Sequence, residues 1–309
     1  MVLNLMHRIS AGLALWLMFA AASFGAAVNQ TILVTGATGR QGGAVVDELL
    51  ARGYTVRGMT RKPDGKKAVQ LKEKGVEVVK GDYGDPDSLL SAMQGVYGVF
   101  FYSGFSRNEL AEGLNVIGAA RASGVQHFVY SSGAAAAPET GMQGAAKMNV
   151  ELAIRDSGLP FSVIRPVAFM ENFRGQQART LEKGVVDSRN PDRYVYFIAI
   201  KDIGFMAAEA FTNPDHWLGR GEDIAGDQMT LAELAATFGD VMGQDIEYTR
   251  LPLDEYLASF PPPMRPLFRW YDEGGYTVDS ASLRKQYPNL MTLEQYLRDT
   301  GWEGWSPAD

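Results

Sequence analysis

The stretch Thr31-Ile32-Leu33-Val34-Thr35-Gly36-Ala37-Thr38-Gly39-Arg40-Gln41-Gly42-Gly43 decides the fold. An apolar, β-branched run enters a loop with spaced glycines and leaves it into an apolar, helix-periodic segment at 45–50. The first glycine permits the tight turn, Gly39 lets backbone approach a pyrophosphate, and Gly42 lets the helix pack close to the strand. The helix N-terminus then favours the phosphate charge. A glycine triplet alone is weak. Lying between a strand and a helix, in the first of a series of βα units, it meets the structural test for a dinucleotide loop.

Outward from that loop, short β-branched runs alternate with helical periodicity, the sign of βαβ units around a parallel sheet. Strands are expected at 31–35, 54–60, 76–80, 96–102, 127–131 and 161–164, and helices at 41–52, 66–74, 85–93, 108–123 and 145–156. Gly53, Gly75, Gly95, Gly124 and Gly158 close the helices, as expected where a helix ends in a left-handed residue. Six strands predict an α/β fold, a doubly wound parallel Rossmann sheet over residues 29–165. Past Arg165-Pro166 the regularity fades. Helices are readable at 175–183, 203–211 and 231–242, a strand at 194–200, and a broken helix or loop at 253–276 around Pro261-Pro262-Pro263. This part, 166–309, is expected to form a smaller C-terminal α+β lobe intergrown with the first, facing substrate or partner.

The end of the second strand selects the cofactor. An acidic residue there would grip the ribose hydroxyl of NAD, whereas Arg suits the 2′-phosphate of NADP. The residues are Thr60-Arg61-Lys62, with Arg40 in the loop able to face the same phosphate, so NADP(H) is expected over NAD(H).

Composition excludes other chemistries. The chain has 309 residues, a net charge of -7, no cysteine and three histidines. Thiolate sites and a His-rich metal site cannot be built, and direct nucleic-acid binding is not expected. His127 begins a strand and His216 follows Pro214-Asp215 in an apparent turn, so neither is assigned catalysis. At the N-terminus, His7 and Arg8 precede an apolar run at 9–22 and then small residues Ser23, Gly25, Ala26 and Ala27. That is the layout of a signal peptide cleaved after Gly25 or Ala27. Two alternatives stand beside it: an uncleaved membrane anchor, although a span needs roughly 20 apolar residues, and a true start at Met18. Any membrane contact would come through residues 1–28, and export or anchoring there stands against a cytoplasmic cofactor, which leaves localisation open.

The loop TGATGRQGG, the basic TRKP at 60–63, GDYGD at 81–85, AKMNVE at 146–151, RPVAFMENF at 165–173, KDIG at 201–204 and TLEQYL at 292–297 together resemble the NmrA-like branch of the atypical short-chain dehydrogenases/reductases. The similarity runs over almost everything after Asn29. It implies that Gly36, Ala37, Thr38, Gly39, Arg40 and Gln41 wrap the pyrophosphate and that Arg61 and Lys62 bind the 2′-phosphate. It further implies that Asp82 and Tyr83 border the adenine, that Tyr102, Ser103 and Gly104 follow the ribose, and that Lys147 with Phe169, Met170, Glu171 and Asn172 sits by the nicotinamide half. Asp82 has a second reading, as a cap or turn former near the helix at 85.

The chemistry departs from the usual pattern. Catalytic short-chain enzymes carry a proton-donating Tyr four residues before the Lys; here that position is Gln143. Lys147 keeps a role in holding ribose and nicotinamide. Ser131 and Ser132 lie where related enzymes place a substrate-binding hydroxyl, though Ser before Gly133 is also ordinary turn chemistry, and Tyr102 is a second source of a proton. Two functions follow. One is an NADPH-dependent reductase of a quinone-like or conjugated acceptor, which needs little enzymatic acid; Tyr256, Phe260, Phe268, Trp270, Tyr271 and Tyr276, with Phe169 and Phe173, would line its pocket or simply pack the lobe. The other is a non-catalytic NADP(H) redox sensor acting on a regulatory protein partner. Sugar-nucleotide epimerisation is disfavoured by the missing Tyr.

Overall fold

A computed structural model describes residues 30–104 and 106–306. The targeting segment expected over 1–28 lies outside these residues; among those described, no helix is long and apolar enough to cross a membrane.

The strands are β1 (Thr31–Val34), β2 (Thr55–Thr60), β3 (Glu77–Lys80), β4 (Gly98–Tyr102), β5 (His127–Ser131), β6 (Phe161–Pro166), β7 (Ala168–Phe169), β8 (Val185–Asp187), β9 (Tyr194–Ile198), β10 (Arg220–Ile224), β11 (Asp227–Thr230) and β12 (Tyr248–Arg250). Seven of them form one parallel sheet in the order β10-β6-β5-β4-β1-β2-β3. The chain therefore has the expected doubly wound α/β Rossmann architecture, with the reversal of strand order at β1 and β4.

Strands buried on both faces need unbroken apolar sequence, and Ile32, Leu33 and Val34 are fully buried. Successive side chains point to opposite sides. Ile32 and Val34 join Phe100, Val129 and Ile164 under the helices Arg40–Ala51 and Ile200–Thr212, while Leu33 joins Val99, Phe101, Phe128 and Val163 under the helices Pro86–Met93, Glu109–Ala122 and Met142–Asp156. Each such side chain contributes about 1.5–3 kcal/mol by leaving water. Helix ends follow local chemistry. The side chain of Asp85 accepts from Ser88 N ahead of Pro86, and Gly53, Gly75, Gly95, Gly124 and Gly158 all carry positive φ after their helices.

The seventh strand went unread in the sequence. Arg-Gly-Glu-Asp-Ile carries three charged residues, yet β10 pairs with β6 over five residues at the sheet edge, where exposed faces accept them. The chain thus returns from the lobe to complete the nucleotide sheet. The remainder of the C-terminal part contains the small sheet β11-β9-β7, the pair β12-β8 and a third core around Met170, Phe197, Phe238, Leu297 and Trp302. Residues 253–276 form the expected broken helix, Leu253–Ala258 and Arg265–Glu273 separated by a short 3-10 turn at Pro262–Met264. His216 lies in a one-turn helix, Pro214–Trp217, rather than in a simple turn.

The helix Arg40–Ala51 meets the helix Ile200–Thr212 so closely that a β-carbon on Gly204 would stand 2.6 Å from the Ala44 carbonyl carbon and oxygen. Exposed Gly118, inside the helix Glu109–Ala122, has nothing within 4 Å of the same position. Gly204→Ala is expected to lose about 1–3 kcal/mol by overpacking and Gly118→Ala to gain roughly 0.5–1 kcal/mol from helix propensity, both read from urea denaturation midpoints.

Candidate active site

Thr38, Arg61, Lys62, Asp82, Tyr83, Tyr102, Ser103 and Ser132 fall at or just beyond the C-terminal ends of the parallel strands, where ligands of open α/β sheets bind, and Lys147 reaches Ser103 from the helix Met142–Asp156. A cleft of about 750 Å³ runs along this edge, lined by Gly36, Thr38, Gly39, Thr60, Arg61, Lys62, Asp82, Tyr83, Tyr102 and Gly104 among others. Gly36 has φ +56°, and a β-carbon on Gly42 would collide with its carbonyl. Tyr102 lies over the loop: its ring touches the space beside Gly36 and Gly39, and its hydroxyl donates to Gly36 O at 3.3 Å. Such a backbone cradle, closed to any side chain and opening a 12-residue helix, fits a pyrophosphate.

At the mouth beyond β2 stand Arg61 and Lys62, both exposed, and with them Lys66 and Lys67, which the sequence reading did not select. No carboxylate follows Thr60, whose hydroxyl accepts from Lys62 N at 3.3 Å and meets Thr38 Oγ1 at 3.4 Å. Asp82 lines the cleft and also builds its own turn, Oδ1 accepting from Gly84 N at 2.9 Å. Tyr83 turns its hydroxyl inward, within 2.9 Å of Thr35 Oγ1 and 3.0 Å of Tyr102 O, and burial pushes its pKa up strongly. Arg40 is exposed; Ala37 and Gln41 are buried.

The structure brings Lys147 and Ser103 together through a residue the sequence did not reveal. Lys147 Nζ donates to Ser103 Oγ at 3.2 Å and to Glu109 Oε1 at 2.9 Å, and Ser103 Oγ also donates to Glu109. Tyr130 OH stands 3.2 Å from Ser103 Oγ. Glu109 is 1% exposed, so its charge is held almost entirely by this lysine and serine. Glu109 opens its helix two residues after Arg107, in a stretch that reads as a solvated first turn, and only the 38-residue separation in the folded chain exposes its partner. Ser131 and Ser132 are buried at the end of β5, and the stem of Lys147 passes 3.8 Å from the β-carbon position of Gly133. Gln143 is exposed. Tyr102 is a weak proton source, because burial raises its pKa and its hydroxyl is engaged with the loop.

The four residues expected beside Lys147 at the nicotinamide divide. Phe169 and Asn172 line a second cavity, of about 370 Å³, inside the lobe. Met170 is fully buried in the lobe core, and Glu171 caps the helix Ile200–Thr212, its two oxygens 2.9 and 3.1 Å from Ile200 N. The lobe cavity is walled by Phe169, Phe173, Tyr256, Phe268, Tyr271 and Tyr276, whereas Phe260 stacks behind Phe268 at 3.6 Å between ring centroids and Trp270 packs on Tyr271 and Tyr276. Its edge begins at Ala168, two residues past Pro166, whose carbonyl accepts from Ala134 N beside Gly133. The cavity therefore starts just past the C-terminal end of β6, on the sheet edge that also carries Gly133.

His127 is structural, as expected. Fully buried, it lies 2.7 Å from Ser162 Oγ, which donates to Trp217 O, and desolvation lowers its pKa to about 4. His216 pairs with Glu222 at 2.9 Å.

Comparison with known proteins places this geometry. Residues 28–297 match the NmrA-like family. The (4-alkanoyl-5-oxo-2,5-dihydrofuran-3-yl)methyl phosphate reductase of Streptomyces griseus subsp. griseus is 32% identical over 259 residues, 82% of this chain and 89% of that protein. The NAD(P)H azoreductase of Xenophilus azovorans is 30% identical over 226 residues, 72% of this chain and 78% of that protein. The NADPH-dependent quinone oxidoreductase from Escherichia coli, solved in complex with NADPH, superposes with a TM-score of 0.76 at 27% identity, covering 87% of this chain and 99% of that one. Together with the glycine cradle, these similarities establish a nucleotide site of the NAD(P) type.

Removing one partner of a buried ion pair leaves the other uncompensated. Lys147→Ala is expected to destabilise the fold by about 3 kcal/mol, and Lys147→Ala/Glu109→Gln to recover much of that loss, in urea unfolding of both variants. His127 supplies a pH signature. Its folded pKa lies below the unfolded value, so the unfolded state binds the extra proton, and stability present above pH 6.5 falls as pH drops towards 4, by about 3 kcal/mol in all. Unfolding free energies measured across that window should show a shallower fall for His127→Asn.

Proposed function

The chain belongs to the NmrA-like family, and on that premise we propose that it is an NADPH-dependent reductase of a quinone-like or otherwise conjugated acceptor seated in the lobe cavity. The observation carrying this reading is the adjacency of the aromatic cavity at Ala168 and Phe169 to the strand-end edge that holds the glycine loop and Lys147. Relatives named as an azoreductase and a quinone oxidoreductase support the class of acceptor.

In this reading Gly36 to Gln41 present backbone and a helix N-terminus to the pyrophosphate. Arg61, with Lys62, Lys66 and Lys67, meets the 2′-phosphate, the reason for preferring NADP(H) to NAD(H). When bound, NADPH supplies the hydride. Lys147, fixed in place by Glu109 and Ser103, hydrogen-bonds the ribose and nicotinamide half, with Ser132 and Phe169 beside it. Asp82 and Tyr83 border the adenine, Tyr83 by its ring rather than its inward-turned hydroxyl. The chain brings no ready general acid: Gln143 cannot donate and Tyr102 is a poor donor. An acceptor whose reduced charge spreads over its own π-system takes its proton from solvent, so the missing Tyr is tolerable. An open aromatic cavity favours this reading over a non-catalytic sensor, for which a closed lobe and a broad apolar surface would be the better design.

The test is NADPH oxidation by the full chain with a panel of quinones and azo dyes, after NADPH binding has been established. Turnover that falls at least about tenfold in kcat/KM for Phe169→Ala is expected, whereas tight binding without turnover on any acceptor would leave the sensor. Arg61→Ala should weaken NADPH binding roughly 10- to 100-fold, the worth of a charge-assisted hydrogen bond, with NADH binding unchanged.

A further inference from the structure

The lobe cavity carries a charge pattern that its aromatic walls do not explain. Arg179, Lys183 and Arg189 line it, against a single carboxylate, Asp187. That carboxylate is fully committed. Its Oδ1 accepts from Arg189 N at 3.0 Å and Arg189 Nε at 2.9 Å, and its Oδ2 from Arg189 Nη2 at 2.8 Å and Tyr256 OH at 3.3 Å. Four donors fill the roughly four lone-pair sites of a carboxylate, so the Asp187–Arg189 pair is electrically closed and presents no net charge to a ligand. Two cations remain.

Arg179 and Lys183 are one helical turn apart on the helix Gln177–Lys183, the spacing that puts two side chains on one face. Arg179 has no ion-pair partner among the described residues, and Lys183 has only its exposed sequence neighbour Glu182, at 3.8 Å. A cavity lined by two cations with no free carboxylate among its lining residues stands out in a chain whose net charge is -7. Both side chains are exposed at the cavity's rim, where they attract counter-charge with a strength that salt screens.

We infer that the acceptor is a flat conjugated ring carrying an anionic substituent, a carboxylate, sulfonate or phosphate, with the ring among Phe169, Phe173, Tyr271 and Tyr276 and the anion towards Arg179 and Lys183. The inference rests on the reductase reading in calling the ligand an acceptor, whereas the charge preference is a property of the cavity itself. Arginine supplies the bidentate geometry that planar oxyanions match, and lysine adds a point charge one turn away.

Calorimetric binding of two unreactive probes, 1-naphthalenesulfonate and 1-naphthol, to the full chain tests the preference without turnover. The sulfonate is expected to bind at least about tenfold more tightly, with the advantage shrinking between 50 and 500 mM salt as screening sets in. Arg179→Gln/Lys183→Gln should remove most of that advantage and leave naphthol binding within twofold. Equal affinity for the two probes, or a variant that weakens both alike, overturns the inference. The readings fail separately: sulfonate preference without NADPH oxidation on any quinone sinks the reductase and keeps the anion site, while quinone turnover with no sulfonate preference does the reverse.

Discussion

Between the Gly36 carbonyl and Gly42 there is no room for a side-chain carbon, and the Tyr102 hydroxyl closes over Gly39 in the same way. The first helix can start directly behind β1 only because of that approach, which aims its free amides at the strand-end edge. Everything on the edge is arranged around this point. β4 delivers Tyr102 onto the loop, Tyr83 ties β4 to Thr35 after β1, and the crevice where strand order reverses is left open on the side of Arg61. The binding cleft is thus a consequence of backbone proximity, with side chains tuning what it takes.

The second organising element is electrostatic. A lysine ammonium and a buried glutamate, separated by 38 positions, meet at the ends of β4 and β5 with Ser103 between them. The pair is weak evidence for net stability, since burying both charges is itself costly. What it fixes is position: with Glu109 nearly inaccessible, the ammonium has one place to be. The Asp187–Arg189 pair does the equivalent work in the lobe, cancelling itself and leaving the charge of the cavity to others.

Periodicity made the sheet legible because its central strands are buried on both faces and its helices end at glycines that must adopt positive φ. β10 escaped because an edge strand needs few apolar residues, and Arg-Gly-Glu-Asp-Ile has almost none. In the nucleotide cleft, local motifs carried Gly36, Arg61 and Tyr102 to the right edge, but Lys66 and Lys67 look like any solvated helix start. Glu109 was hidden for a deeper reason: a buried carboxylate is recognisable only by its partner, and Lys147 reaches it through tertiary packing that no local pattern encodes. In the same way RPVAFMENF reads as one motif, yet its successive residues Phe169, Met170 and Glu171 face a cavity, a core and a helix end.

β10 enters the sheet 54 residues after β6 ends, once β7, β8, β9 and three α-helices have been made. During synthesis the hydrogen-bonding edge of β6 therefore stays open while that whole excursion emerges, a period in which an apolar strand has an exposed flank and no neighbour. Closing it joins residues distant in the chain, and such closures are slow. The nucleotide loop waits in the same way, because the open side of β1 is not paired until β4 emerges at Gly98 and brings Tyr102 onto Gly36, so both the cleft and the sheet edge are completed by chain made well after them.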